Sequence, residues 1–166
     1  MGRQAGLDVV GVAGAEPFTE VQNELKRRHD AGLHGGMQFT YRNPERSTNP
    51  SRVLPNARSL VVGALRTAAP RLAEVGPGRL RIAAYARHDY YASLRAALGV
   101  VASRLESDGW SARVVVDDNA LVDRAAAVRA GIGWYGKNAN VLIPGRGSWF
   151  VLGSVVTDAP LPVSGP

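Results

Sequence analysis

The chain predicts an α/β (α+β) layered domain, a mixed β-sheet with flanking helices. Three observations carry this. The run Arg58–Leu65 (RSLVVGAL) and the triplet Val114-Val115-Val116 are β-branched, apolar and short, as buried strands are. Between Asp89 and Ser107, the residues Tyr90, Leu94, Leu98, Val101 and Leu105 recur at threes and fours, the spacing of one helix face. Strand and helix patterns alternate loosely along the chain and end in a hairpin-like pattern, with no internal repeat.

In order, Leu7–Ala13 reads as a strand or buried segment. Pro17 suits the first turn of a helix running to about Ala31, where Phe18, Val21, Leu25 and Arg28 make a partial apolar stripe and Gly32 closes it. Residues 33–55 read as loop, punctuated by Gly35-Gly36, Asn43-Pro44, Asn49-Pro50 and Leu54-Pro55. A loop of about twenty residues in a compact domain tends to be functional. Its Arg42, Arg46 and Arg52 are candidate anion ligands, with ordinary solvated charge as the alternative. After the Arg58–Leu65 strand, Thr67–Gly78 is loop and Arg81–Arg87 reads as a second strand or extended segment. Asp89 is a good N-cap for the helix that follows. Asp108-Gly109 turns the chain into a strand at Trp110–Val116. Near the end, Val141–Ile143 and Trp149–Thr157 flank Pro144-Gly145-Arg146-Gly147, a predicted hairpin.

Chemistry concentrates in Val114–Asn138. A strand ends at Asp117, and Asp118 and Asn119 are natural caps for an alanine-rich helix over Leu121–Ala130. Gly131 stands where a helix-terminating glycine belongs. Gly131, Gly133, Trp134, Tyr135, Gly136 and Lys137 follow. A carboxylate at a strand end beside a cation on a glycine turn is a common construction of an α/β site. GIGWYG also fits G-x-G-x-x-G, and Gly131–Asn138 nearly fits a phosphate loop. Those motifs need glycines that open a helix, whereas these follow one, and Asn138 stands where a hydroxyl ligand for magnesium belongs.

With 166 residues, 45% hydrophobic and 20% charged, the chain has the composition of one globular domain. No apolar run approaches the ~20 residues of a membrane span, and neither a secretory nor a myristoylation pattern opens the chain. The expected location is the cytoplasm. Cysteine is absent, which excludes disulfides, zinc–thiolate sites and iron–sulfur clusters held by this chain's own thiolates. His29, His34 and His88 lack metal-site spacing. The net charge of +6 permits contact with a polyanion. It is carried mostly by scattered arginine. Lys26 and Lys137 are the only lysines.

VDDNALVDRAAAVRAGIGWYGKN, followed by GSWFVLGSVVTDAPLP, resembles the N-terminal domain of the epoxyqueuosine reductase family. GLHGGM, NPSRVLPNARSLVV and RIAAYARHDYYASLRAAL agree, so the likeness runs from about Leu33 to Pro162. It implies a cobalamin-binding domain related to other cobalamin-processing proteins and to reductive dehalogenases, over residues 1–158. Residues 159–166 would then be a linker toward an absent ferredoxin-like domain carrying two [4Fe–4S] clusters. The implied activity is reduction of the epoxide of epoxyqueuosine at the tRNA wobble position, giving queuosine, with tRNA and an iron–sulfur electron donor as partners.

The resemblance also assigns roles. Asp117 matches the family's proposed proton donor. Arg124 matches an arginine near the cobalamin, and Gly136, Lys137 and Asn138 match a Gly-Lys-Asn turn lining the same pocket. Val141 and Leu152 fall at corrin-walling positions, and Asp89 with Tyr90 matches an Asp-Tyr pair. A buried carboxyl at Asp117 would keep its proton near neutral pH and protonate the departing oxygen. Arg124 and Lys137 would hydrogen-bond the cofactor's amides and phosphate. Trp134, Tyr135 and Trp149 are expected in core or pocket wall. The chain departs from the family in having Tyr91 for a frequent histidine, Ala120 for a proline, and Asp118 as a second acid. The alternatives are a non-catalytic corrinoid- or tRNA-binding module and a phosphate-loop nucleotide binder.

Overall fold

The computed structural model describes residues 2–67, 76, 78–80 and 82–164. Two eight-residue strands form its centre, β2 (Ser59–Arg66) and β6 (Phe150–Thr157). They pair antiparallel from Ser59 opposite Thr157 to Arg66 opposite Phe150. The strand β1 (Val9–Gly14) pairs with the free edge of β2, and β3 (Ala112–Val116) with that of β6, giving the order β1-β2-β6-β3. The layered sheet with flanking helices is therefore present. Where a mixed sheet is expected, all three ladders of this sheet run antiparallel. The reason is topological. β2 and β3 do point the same way, joined through the crossover helix α3 (Tyr90–Ser107), but β6 inserts between them.

Period-2 alternation sends successive side chains to opposite faces of the sheet. Leu60, Val62, Ala64, Val115 and Val156 point to one face, where Ala125, Ala126 and Ala127 of helix α4 (Asp123–Arg129) pack with Phe18, Val141 and Ile143. Val61, Val116, Val151 and Val155 point to the other, under Leu94, Leu98, Val101 and Leu105 of α3. Each such side chain contributes roughly 1.5–3 kcal/mol by leaving water. Gly63 and Gly153 sit opposite each other on the α3 face. A Cβ on either would come within 3.1 Å of a Leu98 methyl, so the glycine pair lets the helix approach closely.

Local signals account for the ends of the helices. The Asp89 carboxylate accepts from the Ala92 N–H at 2.8 Å, the expected N-cap of α3. At the other end of α4, Gly131 (φ 69°) donates to the Val128 carbonyl, and Ile132 donates to that of Ala127. This is the doubly bonded left-handed stop that glycine permits. The start of α4 differs from expectation. Asp118 Oδ1 accepts from the Ala120 N–H in a local turn, and Val122 occupies the cap position with no side-chain bond. The first surface helix, α1 (Thr19–Asp30), buries none of its residues.

Two other expectations change. The predicted terminal hairpin does not form, because both edges of β6 are already occupied by β2 and β3. Instead β5 (Val141–Leu142) pairs with β4 (Trp134–Tyr135) as a separate ribbon, and Ile143 bridges Gly147. The stretch 82–87 is a 3-10 turn at Ala84–Ala86 rather than a strand, while Arg81 and most of the preceding loop (68–75 and 77) lie outside the described residues. Some residues after β6 also contact the sheet. Ala159 is fully buried, Ser59 Oγ donates to its carbonyl, and Ser164 exchanges hydrogen bonds with the backbone of Val12. Ala159, Leu161 and Ser164 therefore contact the sheet while Pro160, Pro162 and Val163 are exposed, and 165–166 lie outside the described residues.

Candidate active site

Beyond Val116, at the C-terminal end of β3, the chain makes a sharp corner. Asp117 takes a left-handed φ of 51°, a conformation aspartate tolerates better than most side chains. Two braces hold the corner. Arg95 Nη2 of α3 donates to the Val116 carbonyl at 2.9 Å. Ser47 Oγ donates to the Asn119 carbonyl at 2.6 Å. Ser47 ends the short helix α2 (Pro44–Ser47), capped by Asn43, within the long Pro-punctuated loop. That loop supports the acidic corner, and its Arg52 pairs with Glu45 at 2.6 Å rather than facing the site.

The corner opens into a cavity of about 270 Å³. Asp117, Asp123 and Arg124 line one side and Tyr91 of α3 another. Val141 and Ile143 join Phe150, Val151 and Leu152 as an apolar wall, with Asn140 and Ser148 at the polar margin. Four predicted residues thus meet in one place: Asp117, Arg124, Val141 and Leu152. The others do not line this cavity. Gly136, Lys137 and Asn138 form the tight turn between β4 and β5, where Gly136 N–H donates to Asn140 and Asn138 Oδ1 accepts from the Asn140 N–H. Lys137 is exposed there. Arg124 links turn to cavity, because its Nη1 donates to the Ala139 carbonyl at 3.1 Å. Asp89 caps α3 and lies outside the cavity lining. Trp134, Tyr135 and Trp149 are about half exposed. The glycines follow α4 and lead into β4, so no helix N-terminus faces them and the phosphate-loop geometry is not formed.

The two acids of the site differ in their surroundings. Asp117, expected as a buried acid, is exposed at the cavity mouth. The protected acid is Asp123, in the first turn of α4, whose Oδ1 is sealed from solvent and has no hydrogen-bond partner among the described residues. Burial first, then the charges of Asp117 and Asp118, push its carboxyl up to about 8, against a smaller opposing pull from Arg124. The Tyr91 hydroxyl is raised above its ordinary range, again by burial first and then by Asp117 and Asp123. It therefore remains a hydrogen-bond donor at neutral pH. Asp123, Tyr91, Ser47 and Arg95 were absent from the predicted site. The one signal for Asp123 was its spacing, six residues past Asp117 and beside Arg124.

The arrangement suits a ring with a flat apolar face and polar edges. The wall from Val141 to Leu152 supplies the apolar surface, and Arg124, Asn140 and Tyr91 supply edge partners. The orphaned Asp123 Oδ1 is one buried polar atom with capacity for a ligand or water. Drug-sized ligands occupy about 300–1,000 Å³, so a recess of this size is too small to enclose a larger macrocycle.

Comparison with known proteins places this arrangement among relatives. The chain is 33% identical over 171 residues to an epoxyqueuosine reductase of Pseudomonas aeruginosa, covering 98% of this chain and 46% of that protein. It is 32% identical over 168 residues to that of Bacillus cereus, covering 97% and 44%. The chain thus spans a little under half the length of these curated relatives. The solved epoxyqueuosine reductase from Streptococcus thermophilus superposes with a TM-score of 0.88 at 27% identity, over 99% of this chain and 46% of that one. An epoxyqueuosine reductase solved with an epoxyqueuosine-modified tRNA-Tyr stem loop gives 0.81 at 27%, over 99% and 45%. A reductive dehalogenase described with a B12-dependent mechanism shares the fold at a TM-score of 0.62 and 21% identity, over 99% and 19%. No family model matches the chain.

Proposed function

We propose that this chain, which is similar to an epoxyqueuosine reductase over 97% of its length, is the cobalamin-binding portion of an oxidoreductase that removes the epoxide oxygen of epoxyqueuosine in tRNA, yielding queuosine. The observation that carries the reading is the convergence of Asp117, Arg124, Val141 and Leu152, distant in sequence, on one cavity in a chain with that relationship. Support for tRNA as the substrate carrier comes from the relative solved with a modified stem loop, and the net charge of +6 suits a polyanion.

Cobalamin fits the residues present. Val141 and Leu152 would wall one face of the corrin, and Arg124 would donate to its amides. Lys137 and Asn138 would reach the cofactor's periphery from the exposed turn. When bound, the cofactor supplies the electrons of the reduction; the protein supplies position and protons. Asp117, at the open mouth, is placed to deliver a proton to the departing oxygen. Tyr91, kept as a hydroxyl, donates a hydrogen bond into the same space. The electrons would come from an iron–sulfur domain or protein outside this cysteine-free chain.

Two measurements test this reading. Cobalamin added to the chain should shift to the visible spectrum of the form with its lower base detached. The chain joined to an iron–sulfur donor and a low-potential reductant should convert epoxyqueuosine in a tRNA stem loop. The spectral shift without conversion would leave a corrinoid-binding module, and neither result would reject the assignment.

A further inference from the structure

Reductive deoxygenation of an epoxide has a fixed proton demand. Both C–O bonds break, a C=C bond forms, and the oxygen leaves as water. The balance requires two electrons, here from a low-potential iron–sulfur reductant, and two protons. A single carboxyl can deliver only one of them at a time, and Asp117 is exposed at the cavity mouth.

The same cavity holds a second carboxyl with the opposite character. Asp123 begins α4, lines the cavity with Asp117, and has an oxygen that neither solvent nor any described hydrogen-bond donor reaches. An ionised carboxylate buried in that way would be costly, whereas a protonated one needs no counter-charge. Resting on the deoxygenation reading above, we propose that Asp123 holds a proton in this cavity and passes it to Asp117, so that the two carboxyls together meet the two-proton demand. Asp123 acts through Asp117 and is a positioning residue rather than one that touches the reacting atoms.

The surroundings agree. The charged and titratable groups acting on Asp123 are Asp117 and Asp118 from the corner, Arg124 from its own helix, and Tyr91 from α3. The two acids favour its protonated form, and Arg124 opposes them without hydrogen-bonding it. The remaining polar lining, Asn140 and Ser148, is uncharged. Burial and the neighbouring acids place its carboxyl near 8, so it is still protonated when an ordinary aspartate has ionised.

Infrared titration of this chain alone tests the proton store. A protonated-carboxyl band should persist through neutral pH and vanish around pH 8, be absent in Asp123→Asn, and remain in Asp117→Asn. In Asp117→Asn its midpoint should move down, since a negative neighbour has been removed. No such band, or an unmoved midpoint, overturns the proposal. Joined to the iron–sulfur donor, Asp123→Asn should lower kcat on the order of 10²-fold with KM unchanged and alter the alkaline limb of the pH profile, while Asp123→Glu restores part of the rate. A wild-type profile in Asp123→Asn would equally overturn it. Absence of turnover in the wild type would count against the deoxygenation reading alone, because the infrared result decides the coupling of the two carboxyls by itself.

Discussion

Arg124 Nη1 donates to the carbonyl of Ala139 at 3.1 Å, joining the helix that follows the acidic corner to the turn that carries Lys137. Ala139 has a left-handed φ of 60°, so this bond supports a backbone conformation that alanine adopts rarely. One guanidinium therefore holds the two halves of the site together while facing the cavity itself.

Replacing Arg124 with methionine should weaken cobalamin binding by about tenfold, since a hydrogen bond from a charged donor is worth about 1.5–3 kcal/mol. Titration of the visible spectrum measures it. Folding stability should fall by less than about 1 kcal/mol, because the side chain is exposed. An unchanged affinity would mean that Arg124 serves the turn alone.

Asp89 separates capping from cofactor binding. Its carboxylate already accepts from Ala92 and lies outside the cavity lining. Asp89→Ala should cost about 1 kcal/mol in urea denaturation and leave cobalamin affinity unchanged. A loss of affinity at unchanged stability would restore the cofactor role that the Asp-Tyr resemblance implies.

The glycine pair is a packing requirement. A Cβ on Gly153 would stand 2.7 Å from a Val116 methyl and 3.0 Å from one of Leu98. Gly153→Ala should destabilise the fold by about 1–3 kcal/mol, read from the denaturation midpoint. Leu98→Ala combined with it should recover part of that loss relative to the sum of the two single changes, because both touch the same space.

Asp123 makes stability depend on pH in a definite direction. Its carboxyl titrates near 8 when folded and near the ordinary 3.8 when unfolded. Between those values the native state binds the extra proton, so stability declines as pH rises from about 4 to about 8 and then levels. Asp123→Asn removes that slope. Urea denaturation of both proteins across the range should give curves that agree best in acid, after allowing for the substitution itself, and diverge in favour of the variant in alkali. Parallel curves would mean that Asp123 is ionised in the folded protein.

Several features could be read from local residues. The stripe from Leu94 to Leu105, the Asp89 cap and the Gly131 stop depend on neighbours within one or two turns, and all three appear as expected. The Arg58–Leu65 and Val114–Val116 runs are strands for the same reason. Long-range pairing was less legible. Val141–Ile143 has strand character, but the absence of a vacant edge on β6 arises from β2 and β3, which pair with it from far away in sequence, Val116 with Gly153 and Ser59 with Thr157, and so leave no trace in the local pattern.

The candidate site divides along the same line. The sequence by itself determined that an acid, an arginine and an apolar wall belong together, because the resemblance ties residue types to positions. Only the tertiary structure decided which acid is shielded. Asp117 and Asp123 are the same residue type six positions apart, yet one faces solvent and the other has an oxygen enclosed by the packed helix and sheet. Burial is a property of what the rest of the chain folds over a side chain, and it sets which carboxyl keeps its proton.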